Sequence, residues 1–395
     1  MSTATRVHVD LDGHSVEAGT LYVQLGRTVT TTFVYSPAYL VDPRAYPIEP
    51  AFPLVAGPHP SAGLPHCVAD TAPDRWGRNL IRKRLRATGE LGARGITDLD
   101  YLLGVSDATR QGALRFSRAD GPFLATHVDV PKTIALPRLL RAAEKVAGDE
   151  DDAAEIKVLL DAGTASLGGA RPKASVADGD VLHIAKFPHP GDSWDVMAWE
   201  TTALDLAERA GVDVPAHRLT RVEGRSVLLS RRFDRSKGKR VGYLSAMTLL
   251  GADDGDERDY LEIAEELALN SAAASADLAQ LWRRIAFGLL INNTDDHLRN
   301  HGVLRTATGW RLSPAFDLNP NPEPGQHATT ILGEAAREPG LEALMVSAPQ
   351  FGLDRDAAAR ILGEVRGAVA HWRTIARGHG IRAAECELMA TAFGC

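Results

Sequence analysis

Residues 291–320 read INNTDDHLRNHGVLRTATGWRLSPAFDLNP, and the chemistry of this stretch decides what kind of chain this is. Asp295 follows an apolar, helix-patterned run over 276–292, and an amide side chain, Asn300, comes five residues later. That is the spacing of a phosphoryl-transfer loop in which the carboxylate accepts a hydroxyl proton and the amide holds Mg²⁺. Mg²⁺ requires oxygen ligands in octahedral geometry and takes one or two protein carboxylates, so a second carboxylate has to arrive from a neighbouring turn. Asp317 is the candidate. Residues 302–305 and 310–313 read as two short strands around Thr308-Gly309, a hairpin that would return Asp317 to Asn300.

Two other readings of the same residues stay open. Asp295, Asp296 and Asn300 could simply end a helix in Asx turns. Asp296, His297 and His301 could bind zinc, although no paired His or Cys spacing of the helical kind supports it.

Working outward, composition sets the frame. With 395 residues and 44% hydrophobic content the chain can bury two or three cores, and no apolar run approaches the roughly 20 residues of a membrane span. The N-terminus MSTATRVHVDLDG carries no apolar signal region, so a soluble, cytoplasmic protein is expected. Cys67, Cys386 and Cys395 are odd in number and lack metal spacing, which fits a reducing compartment. A net charge of −7 excludes a surface built throughout for nucleic acid. The basic run over 75–86, RWGRNLIRKRLR, reads as the solvated face of a helix.

The first 120 residues suggest a small sheet, from alternation over 7–11 and 20–25, the β-prone run TVTTTFVY over 28–35, and GALRF over 112–116. A Pro-rich connection over 36–65 precedes a helix that begins near Pro73 and runs through Leu85. Further on, 166–175 reads SLGGARPKAS and leads to a strand over 181–187. Adjacent Gly168 and Gly169, followed by Ala170, would let backbone N–H groups approach a polyphosphate, with Lys173 or Arg171 adding charge. The loop is neither GxxxxGK[ST] nor GxGxxG. Lys186 at the strand end and Glu200 in a helix over 195–210 form a kinase-type pair, the lysine neutralising nucleotide phosphates and the glutamate holding the lysine. RRFDR at 231–235 follows a β-prone run, where a chain would cross to a second lobe. From Tyr243 the pattern is helical over 258–270, 276–292, 335–346, 354–377 and 383–393.

In combination these segments resemble the HipA family of serine/threonine kinases, the toxin members of type II toxin–antitoxin modules. The resemblance is carried by FVYSPAYL (33–40), VADTAPDRWGRNLIRKR (68–84), GALRF (112–116), SLGGARPKA (166–174), RRFDR (231–235), NNTDDHLRNHGVL (292–304) and LSPAFDLNP (312–320). It implies an α+β, two-lobed protein-kinase-like fold: a β-rich N-terminal subdomain over 1–125, a kinase N-lobe over 126–240, and an all-α C-lobe over 241–395.

The resemblance also implies residue roles. Asp295 is the catalytic base with His297 supporting its loop, Asn300 and Asp317 are Mg²⁺ ligands, and Lys186 is the ATP-phosphate lysine. Lys173 falls on the loop lysine, Arg231 and Phe233 fall on hinge positions, and Ser166 falls on the serine that family members autophosphorylate. The implied cofactors are ATP and Mg²⁺. The implied partners are a helix-turn-helix, HipB-like antitoxin, operator DNA reached only through that complex, and a protein substrate such as an aminoacyl-tRNA synthetase. Two alternatives are a small-molecule kinase on the same scaffold and a kinase-like co-repressor without turnover.

Overall fold

The computed structural model describes residues 2–25, 29–89, 95–118, 121–124, 130–148, 152–163 and 171–394. It is a mixed α/β chain that divides into two compact units, residues 1–190 with 234–244, and residues 191–233 with 245–395. The chain passes from one unit to the other between Phe233 and Asp234, inside the RRFDR stretch.

The first unit contains a five-stranded antiparallel sheet in the order Pro58–Ala62, Val29–Tyr35, His14–Leu25, Ser2–Leu11, Leu114–Ser117. Its longest hairpin closes through Asp12-Gly13, both at positive φ, which is the turn chemistry that matches strand twist. Alternation buries Val7, Val9, Leu21, Val23 and Phe33 on one face. The Pro-rich stretch is packed rather than loose. Phe52 stacks on Phe33 with centroids 5.8 Å apart, and the buried Tyr35 hydroxyl donates to Phe52 O (2.7 Å) and accepts from Ile48 N (3.1 Å).

The basic run forms the helix Arg75–Ala87, capped by Asp74 and burying Trp76, Leu80 and Ile81. Arg78 leaves its outer face to pair with Asp98 (2.8 Å) and to lie over the Tyr101 ring. A second hairpin pairs Lys173–Asp178 with Val181–Lys186. Its first strand lies where the sequence pattern suggests a loop, because four consecutive buried residues replace the alternation that marks a half-buried strand.

The second unit is built on the helix Ala274–Leu290. Leu278, Leu281, Ile285 and Leu289 form the expected apolar face, while Trp282, Phe287 and Leu290 are equally buried, so the helix is enclosed nearly all round. Helices Tyr260–Asn270, Arg337–Val346 and Arg355–Val369 pack against it. The helix Val196–Arg209 is locked through Trp199, whose Nε1 donates to Glu385 (2.8 Å) beside the stacked rings of Trp372 and Phe393.

Several sequence expectations change here. The helix expected over 354–377 breaks at Ala370–His371 into Arg355–Val369 and Trp372–Gly378, which turns Trp372 inward onto Phe393 at 4.4 Å. The last helix ends at Leu388 and tightens into a 3₁₀ turn. The C-terminal region is not all-α. It holds the expected hairpin Gly302–Arg305 with Trp310–Leu312, and a parallel pair, Arg258–Asp259 with Thr329–Thr330.

Candidate active site

The central helix stops where the sequence changes from apolar residues to Asn-Asn. Asn292 takes the left-handed conformation (φ 53°), its N–H donates to Leu289 O (3.2 Å), and Asn293 N donates to Gly288 O (2.9 Å). This is a Schellman closure with asparagine, the side chain that best tolerates αL after glycine, in the left-handed position. A rigid helix end therefore delivers the loop that follows.

Asp295 and Asp296 then diverge. The Asp295 carboxylate stays exposed at the loop rim, whereas Asp296 is 5% exposed. Asp296 accepts from the Tyr260 hydroxyl, and its Oδ1 lies 3.1 Å from His301 Nε2, off the ring N–H direction. Burial alone would raise the Asp296 pKa, but His301, Tyr260 and the Arg284 charge outweigh it and hold the carboxyl below its ordinary value. Burial pulls Arg284 down to about 10, opposed by Asp296 among others.

Asn300 folds back so that Nδ2 donates to the Asp295 carbonyl (2.9 Å), which leaves its amide oxygen as the atom for a cation. Asp317 arrives in the left-handed region (φ 57°), a conformation that non-glycine residues keep where the surroundings over-determine it. Its Oδ1 accepts from Asn319 Nδ2 (3.2 Å). A ladder of amides joins the two loops: Asn319 N donates to Asn293 Oδ1 (3.3 Å), Asn321 Nδ2 to Thr294 Oγ1 (2.8 Å), and Asn292 Nδ2 to Asn321 O (2.6 Å) and Glu323 O (3.0 Å).

Asp295, although solvent-reached, is partly desolvated by its surroundings. That desolvation raises its pKa, His297 opposes the shift, and the Asp317 and Asp296 carboxylates add to it. Mutual repulsion between Asp295 and Asp317 is what a divalent cation would relieve, and the donors are hard oxygens, so the set fits Mg²⁺. Zinc finds no such set. Among the described residues no three His, Cys, Asp or Glu side chains gather as metal ligands, and Asp296 and His301 engage each other.

Ser166, Gly168, Gly169 and Ala170 fall outside the described residues. Lys173 is 1% exposed and its ammonium is 2.7 Å from Asp74 Oδ2, so it could lend charge to a phosphate only by giving up that partner. Lys186 ends its strand directly opposite Lys173 and is half-buried. Glu200 is buried within its helix. Arg231 is exposed at a strand end, and Phe233 packs on Phe316, the residue before Asp317, with centroids 5.5 Å apart.

Sequence reasoning missed Tyr260, Arg284 and the asparagine ladder. The only trace was amide or carboxylate side chains recurring at every second position, Asp317, Asn319 and Asn321.

Residues 165–372 match the HipA-like C-terminal domain, and residues 8–116 match the HipA N-terminal domain. The chain belongs to the HipA family. Its fold is similar to that of the HipA chain in a complex from Shewanella oneidensis MR-1 containing HipA, HipB and operator DNA. That likeness has a TM-score of 0.69 at 16% identity, covering 98% of this chain and 94% of the other. A putative kinase of Haemophilus influenzae is 26% identical over 160 residues, spanning 36% of this chain and 47% of that relative's length. The chain thus matches about half of the curated relative. No helix among the described residues is long and apolar enough to cross a membrane.

Proposed function

We propose that this HipA-family chain is an ATP- and Mg²⁺-dependent protein serine/threonine kinase, acting as the toxin of a type II toxin–antitoxin pair. The observation that carries the proposal is the Asp295–Asn300–Asp317 arrangement: an exposed carboxylate, an amide tied back to that residue's own carbonyl, and a second carboxylate close enough to perturb the first.

In this reading Asp295 accepts a hydrogen bond from the substrate hydroxyl, orients it, and takes its proton as the oxygen attacks the γ-phosphorus and the bond from that phosphorus to the β,γ-bridging oxygen breaks, releasing ADP. Its raised pKa makes the carboxylate a better acceptor for that proton. Asn300 Oδ1 and Asp317 would hold Mg²⁺, which supplies charge neutralisation for the phosphate oxygens. Lys186 and Glu200 keep the roles given to them from sequence, and His297 supports the loop. Ser166 is the proposed autophosphorylation site that limits activity. A HipB-like antitoxin is the proposed partner, with operator DNA bound through it, and the proposed substrate is a translation protein such as an aminoacyl-tRNA synthetase.

The test combines growth after induced expression with intact-protein mass measurement after incubation with ATP and Mg²⁺. Growth arrest and an added phosphate in wild type, both absent from Asp295→Asn, are expected. A wild type that turns over no ATP yet still binds antitoxin would replace this reading with the co-repressor one. Label passing from ATP to a metabolite instead of a protein would favour the small-molecule kinase.

A further inference from the structure

Asp296 has no part in the reaction above, yet it is a carboxylate taken out of water one residue from the proposed base. Desolvating a carboxylate is costly, and a small apolar residue at the same place would avoid that cost. What the burial achieves is visible in its partners. Tyr260 opens the helix Tyr260–Asn270, whose cap residue Asp259 accepts from Thr330 Oγ1 (2.9 Å) and Gly333 N (3.0 Å), so the Tyr260 hydroxyl donates from a fixed point. His301 is held through its carbonyl, which accepts from Ala246 N (2.8 Å), and its ring meets that of Tyr260 edge-on at 5.5 Å. Arg284, on the central helix, acts on Asp296 by charge and donates to Ser313 O (2.5 Å), on the segment that leads to Asp317. The Asp296 carbonyl accepts from Thr329 Oγ1 (2.6 Å).

The sequence positions give this cluster its meaning. Asp296 follows Asp295, and His301 follows Asn300. A buried contact between 296 and 301 therefore closes the same loop that Asn300 Nδ2 to Asp295 O closes one residue over, bracketing the two side chains proposed to do the chemistry. Arg284 extends the same cluster toward the second carboxylate. The Tyr260 hydroxyl on the carboxylate and Thr329 Oγ1 on the carbonyl anchor Asp296 at both ends, so the residue has one arrangement in which its buried oxygens are paired.

We propose that Asp296, held by the Tyr260 hydroxyl and packed against His301, is a positioning residue that sets Asp295 and Asn300 in register for phosphoryl transfer. It touches no reacting atom. The proposal rests on the kinase reading for its functional consequence, but its structural content can be tested separately.

Two variants serve. Asp296→Asn keeps the volume and removes the charge, and Tyr260→Phe keeps the ring and removes the donor. In both, kcat for phosphoryl transfer should fall by about 10- to 100-fold, as misplacement of a reacting group by about 1 Å does, with KM for ATP within about twofold of wild type. In an Asp295→Asn background the further loss from Asp296→Asn should vanish, because one residue acts through the other. Wild-type kcat in a folded Asp296→Asn chain, or a loss that simply multiplies with that of Asp295→Asn, would overturn the proposal.

Amide exchange supplies the readout that needs no activity. Asn300 N donates to His297 O (2.8 Å) and His297 N to Asp295 O (3.1 Å), so Tyr260→Phe should speed exchange at these amides by about tenfold or more while the Ala274–Leu290 helix stays protected. Unchanged loop exchange would overturn the positioning role even if wild type proves inactive. An inactive wild type with loosened loop exchange would instead remove only the kinase reading.

Discussion

Two places in this molecule set like charges side by side and resolve the conflict in the same way. At the Asp295-Asp296 step the carboxylates are neighbours in sequence; in the hairpin of the first unit, Lys173 and Lys186 are directly opposite each other. In each pair one member is drawn into the interior by a counter-group. Asp296 goes to Tyr260 and His301, while Lys173 goes to Asp74, which uses its other oxygen to cap the helix at Gly77 N (2.7 Å). The other member keeps access to solvent. The two regions differ in how this was legible. Alternating direction along a chain follows from local backbone geometry, whereas the partner of Lys173 lies 99 residues away. Duplicated charge near a proposed ligand site thus splits into one chemical and one structural residue, and spacing alone does not say which is which.

The largest effect should come from the chemical members. Asp295→Asn should lower phosphoryl transfer by about 10³-fold or more, the scale on which catalytic side chains act, with little change in thermal stability. Asp317→Ala should abolish Mg²⁺-dependent turnover, and full activity in that variant would remove Asp317 from the site. Lys186→Met should weaken nucleotide binding, measured by titration, more than it changes the unfolding midpoint.

The structural members should respond in the opposite sense. Asp74→Ala leaves the Lys173 ammonium buried without its partner and uncaps a helix, which costs about 3–5 kcal/mol in denaturant unfolding. The double variant Asp74→Ala, Lys173→Met should recover most of that loss. If Asp74→Ala were as stable as wild type, the ion pair would not be holding Lys173 away from ligand.

How far the sequence could be read follows the same division. The Asp295, Asn300, Asp317 spacing and the intervening hairpin were legible because each depends on residues within about one loop of one another, and turn and strand signals at 302–312 are local. The central helix was legible from its apolar repeat. The strand Lys173–Asp178 was not, because burial on both faces erases alternation, and the break at Ala370–His371 was not, because it follows from the fit of Trp372 onto Phe393. Tyr260 and Arg284 carried no motif at all, and the pairing of Asp74 with Lys173, unlike its local helix cap, exists only through long-range packing.

Asn292 offers a smaller test of how the helix end holds the loop. Asn292→Gly keeps the left-handed turn and loses the two side-chain bonds to 321 and 323, whereas Asn292→Ala loses the bonds and adds about 1–2 kcal/mol of backbone strain. Equal unfolding free energies for the two variants would mean that the left-handed turn is not maintained.

The smallest effect concerns a third shared charge, Asp205, which accepts from His217 Nε2 (2.9 Å) and lies 2.7 Å from His379 Nε2. Burial would lower the His217 pKa, but the bond to Asp205 outweighs it and raises the value above the ordinary 6.5. Burial would likewise raise Asp205, yet the two imidazoles drive it below the ordinary 3.8. A raised histidine pKa means the folded chain holds the proton more tightly, so the His217 contribution is complete below about 6.5 and fades as pH rises through the folded value. A depressed carboxyl contributes above about 3.9 and fades as pH falls through its folded value. The contact should therefore stabilise most between about pH 4 and 6.5, by about 1 kcal/mol for a partly exposed charge-assisted bond. Thermal unfolding of wild type and His217→Gln across pH 5 to 9 checks this. The gap in Tm should be widest near pH 5 to 6 and narrow toward pH 9, and a gap that is flat or widens with pH would show that His217 is bound there as the neutral imidazole.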